Sequence, residues 1–330
     1  MKVLITGAVG FIGEFLVRHC AEADSVVVGI DVREPENPWA NAAFERCDVR
    51  DSSRLSKLIV AFRPDCIFHL AAQSYPTVSL RRPLETMETN VGGTISLFES
   101  VRASGLMPTV VIACSSAEYG LVASDDLPVK EDHALRPLHP YGVSKVAQHL
   151  LAAQYFTNYS IPAIRIRIFK TTGPGKLDDV CSDLTKRAVE IEMGIRSPKM
   201  AVGNLANRRS IVDVRDLAPA LWQAALHGQA GEVYNLGGDD VYSVQEVLDA
   251  IRAQVAFDFE VEQQPELMRS CDELVTAGDN AKFRSRCNWT PKIHLTTTLR
   301  DMLEWWRARL ADVSAPETRL EAARAYKSGR

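Results

Sequence analysis

The chain has 330 residues, of which 46% are hydrophobic and 24% charged, and its formal net charge is -4. This is the composition of a globular protein with one large or two modest domains. A slightly acidic chain has no basic field to attract nucleic acid or anionic lipid, and no apolar run approaches the length that spans a bilayer. The seven cysteines lack a CxxC pair and the histidines lack metal-ligand spacing. We therefore expect a cytoplasmic protein with reduced thiols that binds no metal, nucleic acid or membrane.

The first half of the chain alternates apolar runs with amphipathic segments. The apolar runs are strand-like and almost uninterrupted, as in strands covered on both faces, and they lie at 2–6, 26–31, 66–71, 109–114 and 163–169. Helical patterns separate them at 11–23, 51–62, 84–104 and 141–159. This alternation predicts an α/β fold, a doubly wound parallel sheet of the Rossmann type with right-handed crossovers.

The alternation ends near residue 170, at a loop rich in Gly and Pro. Helical patterns follow at 178–193, 213–227, 243–254 and 295–309, with only short strands between them. We predict an NAD(P)-binding Rossmann domain over 1–170, to which a later strand and helix can return. Residues 171–312 would form a smaller, mostly helical substrate-binding region, and 313–330 a flexible tail.

The stretch TGAVGFIG places Gly7, Gly10 and Gly13 between the first strand and the first helix. In such a turn one glycine permits the tight bend, one lets a pyrophosphate approach the backbone, and one lets helix and strand pack closely. Phe11 and Ile12 begin the helix, whose first N–H groups would face the phosphates. A strand before the loop and a helix after it predict dinucleotide binding.

Four further residues are predicted to contact the cofactor. Asp31 ends the second strand, where its carboxylate would bind the ribose hydroxyls and repel a 2′-phosphate, which favours NAD. Arg33 would pair with that phosphate and favour NADP, unless it is only a solvated loop charge. Asp48 and Val49 follow the third strand, where the adenine edge is expected. The sequence therefore predicts NAD or NADP as cofactor.

Tyr141 and Lys145 lie four residues apart and share one face of a helix. An ammonium group near a phenol favours the phenolate and lowers the pKa of the tyrosine, and the same lysine can bind the nicotinamide ribose. Ser115 follows the strand at 109–114, at the sheet edge where doubly wound folds bind ligands. If the helix packs beside that strand, Ser115 polarises an oxygen of the substrate and Tyr141 transfers its proton.

The motifs TGAVGFIG, HLAAQS, ETNVGGT, SSAEYG, YGVSK, the GPG loop, VGNLANRRSIVDVRD and the WTP segment together resemble the extended short-chain dehydrogenases/reductases that modify nucleotide sugars. Within this family, the chain is similar to the group of GDP-4-keto-6-deoxy-mannose reductases and GDP-mannose 4,6-dehydratases. The resemblance implies that Ser115, Tyr141 and Lys145 are the catalytic triad. It also implies cofactor contacts at Leu70, Ala71 and Ala72.

The resemblance extends to a substrate site for a nucleotide sugar, with GDP favoured. Its predicted residues are Gln73, Ser74, Ser116, Ala117, Glu118, Lys170, Arg209 and Arg269. The two arginines would hold the diphosphate, a role that suits a bidentate guanidinium, although either could be a surface ion pair. Two positions depart from the family pattern: Lys170 stands where relatives usually have Asn, and RSCD at 269–272 where they usually have Arg-Pro.

One position separates the dehydratases of this family from the other members. Dehydratases carry a Glu two residues after the Ser or Thr of the triad, and it removes a proton next to the sugar ketone. This chain has Ala117 there, and a methyl group accepts no proton. Glu118 comes one residue late, so in an extended segment its side chain would face the other way, whereas in a non-extended loop it could still serve. The sequence therefore favours reduction over dehydration.

The predicted function is 4-reduction of a GDP-4-keto-6-deoxy-hexose by hydride transfer to C4. Three alternatives stay open: a GDP-mannose 4,6-dehydratase, a nucleotide-sugar 4-epimerase, and a non-catalytic dinucleotide sensor. A small residue such as Ala117 also suits the epimerase, while sensors tend to lose the Tyr or the Lys. Helices 84–104 and 141–159 match the four-helix interface of dimers in this family, so a homodimer is expected unless their apolar faces only pack on the sheet.

Overall fold

The computed structural model describes residues 1–268 and 275–313, which divide into two compact units. The described part of unit 1 comprises 1–171, 209–241 and 275–292, and that of unit 2 comprises 172–208, 242–268 and 293–313. The chain thus first leaves unit 1 close to the predicted boundary at residue 170, and it returns there twice. Beyond Val313, the predicted tail lies outside the described residues.

Parallel strands form the centre of unit 1. The strands of the chain are β1 (Lys2–Thr6), β2 (Val26–Asp31), β3 (Ala42–Arg46), β4 (Cys66–His69), β5 (Thr109–Ser115), β6 (Ala163–Ile168), β7 (Lys170–Thr172), β8 (Lys199–Val202), β9 (Arg208–Asp213), β10 (Val233–Leu236), β11 (Val241–Ser243), β12 (Glu260–Gln263) and β13 (Val275–Thr276). Seven of them form one parallel sheet in the order β10-β6-β5-β4-β1-β2-β3. The predicted doubly wound α/β fold is confirmed. The apolar runs did not include β3 and β10, because these edge strands are short and β3 is largely exposed.

Helices alternate with these strands. They are α1 (Phe11–Glu22), α2 (Ser52–Phe62), α3 (Pro76–Arg81), α4 (Pro83–Met87), α5 (Gly93–Ser104), α6 (Pro140–Tyr159), α7 (Val180–Glu192), α8 (Val214–His227), α9 (Val244–Arg252), α10 (Ala281–Cys287) and α11 (Leu295–Val313). The helix predicted over 84–104 is divided, because a π-helical turn at Glu88–Gly92 separates α4 from α5. Such turns widen a helix locally and often occur at functional sites.

The core of unit 1 covers both faces of the sheet, because side chains alternate along each strand. On β1, Val3 and Ile5 pack with residues of α1 and α8, whereas Leu4 faces a cluster from α2, α5 and α6. Burial of one such side chain contributes about 1.5–3 kcal/mol to stability. Coverage of both faces explains why these strands are continuous apolar runs in the sequence.

The strand order reverses beside β1, since the chain runs first to β2 and β3 and then to β4, β5 and β6 on the other side. In doubly wound sheets, ligands bind at the carboxyl ends of the strands next to such a reversal. Thr6, His69 and Ser115 end β1, β4 and β5. The glycine loop and the predicted catalytic serine therefore emerge at the same edge of the sheet.

Unit 2 is mostly helical. Its helices α7, α9 and α11 pack on one another, and β8 pairs in parallel with β12. The short strands β7, β9, β11 and β13 lie where the chain passes from one unit to the other. Across the described ranges of both units, no helix combines the length and the hydrophobicity needed to cross a membrane.

Candidate active site

The glycine loop between β1 and α1 packs against the segment that follows β4. Gly7 has a φ of +70°, and a β-carbon on it would lie 2.7 Å from the backbone nitrogen of Ala71. A β-carbon on Gly13 would overlap the carbonyl oxygens of Gly7 and Ala8. The other predicted loop residues, Gly10, Phe11 and Ile12, form the N-cap and first turn of α1. Side-chain-free backbone at a helix N-terminus is the cradle that a pyrophosphate fits.

Asp31 and Arg33 border this loop. The two carboxylate oxygens of Asp31 accept the backbone N–H groups of Val9 at 3.2 Å and of Arg33 at 3.0 Å. The Arg33 guanidinium donates to the Val9 carbonyl at 3.3 Å, and its side chain is 68% exposed. A carboxylate and an exposed guanidinium thus lie side by side at this loop, and their contacts with the adenosine end of the cofactor stay a prediction.

The predicted adenine contacts lie in the loop after β3. Asp48 forms a bidentate ion pair with Arg50, with an Nη2–Oδ2 distance of 2.6 Å, and these hydrogen bonds lower the pKa of Asp48. Val49 is buried so closely against Gly93 that a β-carbon on the glycine would lie 2.6 Å from the valine. Leu70 and Ala71 follow β4 and donate their N–H groups to Thr6, and Ala72 comes next in the same half-buried segment.

The structure brings the three predicted catalytic residues together. Ser115 is the last residue of β5, and its hydroxyl lies close enough to the phenol of Tyr141, in the first turn of α6, to favour the phenolate and lower the pKa of that tyrosine. Lys145 lies one turn further along α6, with its Nζ 5.8 Å from the centre of the Tyr141 ring. The same Nζ donates to the Ala113 carbonyl at 2.8 Å. A hydroxyl, a phenol and an ammonium group therefore meet at the carboxyl end of β5.

Burial dominates the ionisation of both Tyr141 and Lys145. It raises the pKa of Tyr141 to about 12, against the opposing hydrogen bond of Ser115. It lowers the pKa of Lys145 to about 8, although Cys114 and Glu118 oppose this. The pKa of Tyr141 is thus raised and not lowered as the sequence predicted, because loss of water on burial outweighs the contact that favours the phenolate. Tyr141 is a protonated phenol at neutral pH and can donate its proton.

The segment after Ser115 is a 3₁₀ turn over Ser116–Glu118 and not an extended strand. The turn points the Glu118 side chain into the protein, where it is 0% exposed. One carboxylate oxygen accepts the Ser115 N–H at 3.1 Å and the other accepts the Arg167 Nε–H at 2.8 Å. The predicted contact of Glu118 with substrate is therefore wrong, and so is its use as a replacement base. Ser116 and Ala117 remain half-buried in the turn.

Residues 4–302 match the family described as GDP-mannose 4,6 dehydratase. The chain belongs to this family. GDP-6-deoxy-D-mannose reductase of Pseudomonas aeruginosa is 28% identical to it over 313 residues, which cover 94% of this chain and 99% of that relative. The family relationship confirms the predicted resemblance to extended short-chain dehydrogenases/reductases that modify nucleotide sugars.

Solved structures share the whole fold. RMD from Pseudomonas aeruginosa in complex with NADPH is 26% identical with a TM-score of 0.83, covering 93% of this chain and 99% of that one. UDP-glucose 4-epimerase from Thermotoga maritima with UDP-glucose is 25% identical with a TM-score of 0.86, covering 94% and 100%. Curated relatives also include dTDP-glucose 4,6-dehydratases. These relatives thus include reductases, dehydratases and epimerases. Family membership alone does not tell which of these reactions a member catalyses, so the evidence has to come from the residues of the site.

Sequence reasoning missed the buried partner of Glu118. Arg167 lies inside β6 and is 2% exposed, with its guanidinium also donating to the Tyr119 hydroxyl at 2.7 Å and to the Glu131 carbonyl at 2.8 Å. The signal was present in AIRIRIF, because an arginine inside an otherwise apolar strand needs a buried partner. That partner, Glu118, also accepts the N–H of Ser115, the predicted catalytic serine.

A group of potential metal ligands also lies behind Ser115, and its spacing in sequence did not reveal it. Ligand atoms of Cys114, Glu118 and His149 lie within 4.8 Å of one another. The Arg167 guanidinium already binds the carboxylate of Glu118, and its Nη2 is 3.4 Å from Nδ1 of His149. A cation is therefore already present at this group, which we assign as an ion-pair network rather than as a metal site.

A second buried network links the loop after β4 to α6. Asn90, in the π-helical turn, accepts the Gln73 N–H at 2.7 Å and donates to the Ser144 hydroxyl at 2.8 Å. The Gln73 side chain bonds to the Tyr75 N–H and to Thr86, so its amide is held within its own loop. Ser74, the next predicted substrate residue, is exposed. The π-helical turn thus holds the loop that carries both residues.

The remaining predicted substrate residues are more scattered. Lys170 begins β7 and Arg209 lies on β9, and both are half-buried. Arg269 lies outside the described residues. A shared contact of these three cations with a diphosphate stays a prediction.

Proposed function

We propose that the protein is an NAD(P)H-dependent reductase that converts the C4 ketone of a nucleotide-linked 4-keto-6-deoxy sugar, with GDP as the favoured nucleotide, to an alcohol. The observation that carries this proposal is the pair of neighbours at 117 and 118. Ala117 has no group that accepts a proton, and Glu118 is turned away and held by Arg167. The site therefore offers a proton donor, Tyr141, without the base that elimination requires.

The chain's own residues account for the steps of such a reduction. The Ala117 N–H donates to the Ser115 Oγ at 3.2 Å, which leaves the serine proton available to polarise the ketone. Tyr141 then gives its proton to the developing alkoxide, which is a stronger base than a phenolate and can therefore take the proton even from a phenol with a raised pKa. Lys145 would bind the nicotinamide ribose from the same face of α6. When bound, NAD(P)H supplies the hydride.

The cofactor is held by the glycine loop and the N-terminus of α1. Asp31 would accept hydrogen bonds from the adenosine ribose, which suits NAD, while the exposed Arg33 would pair with a 2′-phosphate, which suits NADP. Both residues remain compatible with binding, so we propose that the enzyme uses either cofactor. Asp48, Val49 and the segment from Leu70 to Ala72 would border the adenine and ribose.

The test uses the isolated protein with GDP-4-keto-6-deoxy-mannose and NADPH or NADH. Loss of the absorbance of reduced nicotinamide is expected with the wild type and should be strongly slowed in Tyr141→Phe. If no nucleotide-linked 4-keto sugar causes this loss, the reductase proposal is abandoned. Formation of a keto sugar from GDP-mannose without added reductant would instead show a dehydratase.

A 4-epimerase is the second candidate, and Ala117 favours it. The sugar ring has to rotate within the site before the hydrogen returns to its other face, and a methyl group leaves more room than a glutamate side chain. Interconversion of two nucleotide-sugar 4-epimers, without net oxidation or reduction of added cofactor, would decide for this activity. Net consumption of reduced cofactor would exclude it as the main activity.

We also propose that the enzyme is a cytoplasmic homodimer. Exposed apolar side chains occur along α4, α5 and α6, among them Leu84 at 70%, Ile95 at 40%, Val143 at 43% and Leu150 at 57%. Covering this surface with a second copy would remove an unfavourable contact with water. The six free cysteines of the described residues are buried, which suits a reducing compartment. Sedimentation of the wild type should show a dimer. Sedimentation of Leu150→Arg should show weaker association, with a larger fraction of monomer at the same concentration.

A further inference from the structure

We propose that Glu118, held by Arg167, is a positioning residue that aims the Ser115 hydroxyl at the substrate ketone. This inference rests on the proposed function, because it assigns a new role within the same site. It replaces the reading of Glu118 as a misplaced dehydratase base. In this chain the carboxylate lies beneath the catalytic serine and acts through it.

The contacts between Glu118 and Ser115 form a reciprocal capping box. The carboxylate accepts the Ser115 N–H at 3.1 Å, while the Ser115 Oγ accepts the Ala117 N–H at 3.2 Å. Together they fix the backbone at the end of β5 and occupy one lone pair of the serine oxygen. With one lone pair occupied, fewer orientations of the hydroxyl proton remain, and one of them points toward Tyr141 and the substrate oxygen that we propose lies next to it.

Arg167 fixes Glu118 in turn. Its Nε donates to the second carboxylate oxygen at 2.8 Å, and its Nη1 is held by Tyr119 and by the Glu131 carbonyl. The Tyr119 hydroxyl donates to Asn235 on β10 at 2.7 Å. A buried ion pair is a weak source of stability, because desolvation offsets the attraction between the charges. Its place directly behind Ser115 indicates a role in orientation.

The carboxylate also faces the other catalytic groups. The titratable and charged groups around it are Cys114 on β5, Tyr141, Lys145 and His149 on α6, and Arg165 and Arg167 on β6, while His69 on β4 lies near Lys145. The negative charge of Glu118 favours the protonated forms of both Lys145 and Tyr141. Loss of this charge should therefore move the alkaline limb of the pH profile to lower pH, which a purely structural residue would not do.

Two substitutions separate orientation from charge. Glu118→Ala removes both carboxylate contacts, so kcat for 4-keto sugar reduction should fall about 100-fold with the KM for the cofactor little changed. Glu118→Gln keeps an oxygen that accepts the Ser115 N–H but removes the charge. It should retain more of kcat than the alanine variant, and its alkaline limb should lie at lower pH than that of the wild type.

Asp216→Asn is the matched control, because Asp216 is a buried carboxylate of unit 1 that accepts the Lys292 N–H at 2.8 Å, outside the contacts of Ser115. It should lower stability without moving the pH profile. A folded Glu118→Ala with kcat within about threefold of the wild type overturns the inference. An unmoved pH profile in Glu118→Gln overturns the part concerning charge.

Failure of the proposed function has a different signature. If the wild type reduces no 4-keto sugar, kinetics cannot report on Ser115, and crystal structures of the wild type and Glu118→Gln decide instead. The inference expects the capping box and the contact between Ser115 and Tyr141 in both. Crystals of Arg167→Met should show the Glu118 side chain displaced and that contact lengthened, and an unchanged contact there would refute the inference. If Glu118→Ala does not fold, Glu118→Gln and Arg167→Met carry the test.

Discussion

The loops that follow β1 and β5 emerge at the same edge of one sheet. The first is shaped by close backbone packing, whereas the second is shaped by contacts between buried side chains. The loop after β1, which we propose binds the cofactor and call the cofactor loop, is backbone brought close by glycines, with Gly7 packed on Ala71. The loop after β5, which we propose is catalytic and call the catalytic loop, depends on buried side chains, with Ser115 held by Glu118 and Glu118 by Arg167. The first loop should therefore be sensitive to added atoms, whereas the second should be sensitive to removed ones.

This difference also separates binding from chemistry. Backbone N–H groups bind phosphate without changing ionisation, so the cofactor loop needs no perturbed pKa. The catalytic loop buries a phenol, an ammonium and a carboxylate together, and burial moves the pKa of Tyr141 to about 12 and that of Lys145 to about 8. The following experiments test whether the two loops fail independently.

The largest effect is expected for Tyr141→Phe, which deletes the proton donor. The rate of 4-keto sugar reduction should fall about 1000-fold, because proton transfer by a positioned side chain contributes factors of this size. Cofactor binding, measured by quenching of protein fluorescence, should be unchanged because the glycine loop is intact. Tyr155→Phe on the same helix, which loses only a bond to Glu99, is the control. Equal losses in the two variants would argue against the assignment of Tyr141.

Lys145→Met tests how much the buried ammonium group of Lys145 lowers the stability of the folded protein. The folded-state pKa of Lys145 is about 8 and its ordinary value is 10.5. Between these values the unfolded chain holds a proton that the folded chain has released, so this group makes folding more favourable as pH rises. The variant's stability relative to the wild type should therefore be greatest at or below neutral pH and should shrink by about 3 kcal/mol as pH rises through this interval.

Urea unfolding at several pH values measures this difference. Lys186→Met is the control, because that lysine is 43% exposed. A pH-independent difference for Lys145→Met would mean that the ammonium is not buried as the structure places it.

Gly7→Ala tests the cofactor loop by adding one methyl group. Gly105 is the matched control, since its φ of +67° is close to that of Gly7 but a β-carbon there meets nothing within 4 Å. Both variants should lose about 1 kcal/mol from backbone strain. Only Gly7→Ala should also weaken cofactor binding, by about tenfold or more, because its methyl group overlaps Ala71. If cofactor titrations give the same Kd for both variants, the close approach of Gly7 to the Ala71 backbone does not matter for cofactor binding.

Arg33→Ala should give the smallest effect. The Kd for NADPH should rise about five- to tenfold with that for NADH little changed, since one exposed ion pair is worth about 1 kcal/mol or slightly more. Lys57→Ala, a change to another surface cation of unit 1, should alter neither value. If the Kd values for NADPH and NADH rise equally, Arg33 contacts a part of the cofactor that both molecules have, and not the 2′-phosphate.

The parts of the site that could be predicted from sequence are those made by local rules. Gly7, Gly10 and Gly13 between a strand and a helix indicate a tight turn wherever they occur, and Tyr141 and Lys145 share a helix face by spacing alone. The strands were visible because both faces of the sheet are covered. The edge strands β3 and β10 and the π-helical turn at Glu88–Gly92 were not, since their limits depend on neighbouring elements and not on local pattern.

Sequence alone determined the doubly wound sheet and the glycine loop after its first strand, because each follows from periodicity or from residues close together along the chain. The catalytic roles of Ser115, Tyr141 and Lys145 came from local spacing together with a family resemblance, and they stay predictions. Only the tertiary structure decided what Glu118 does and that Tyr141 keeps its proton. The direction of Glu118 depends on Arg167, 49 residues away, and the pKa of Tyr141 depends on burial by several elements at once. Orientation in a short turn and loss of water are set by long-range packing, which residue spacing does not encode.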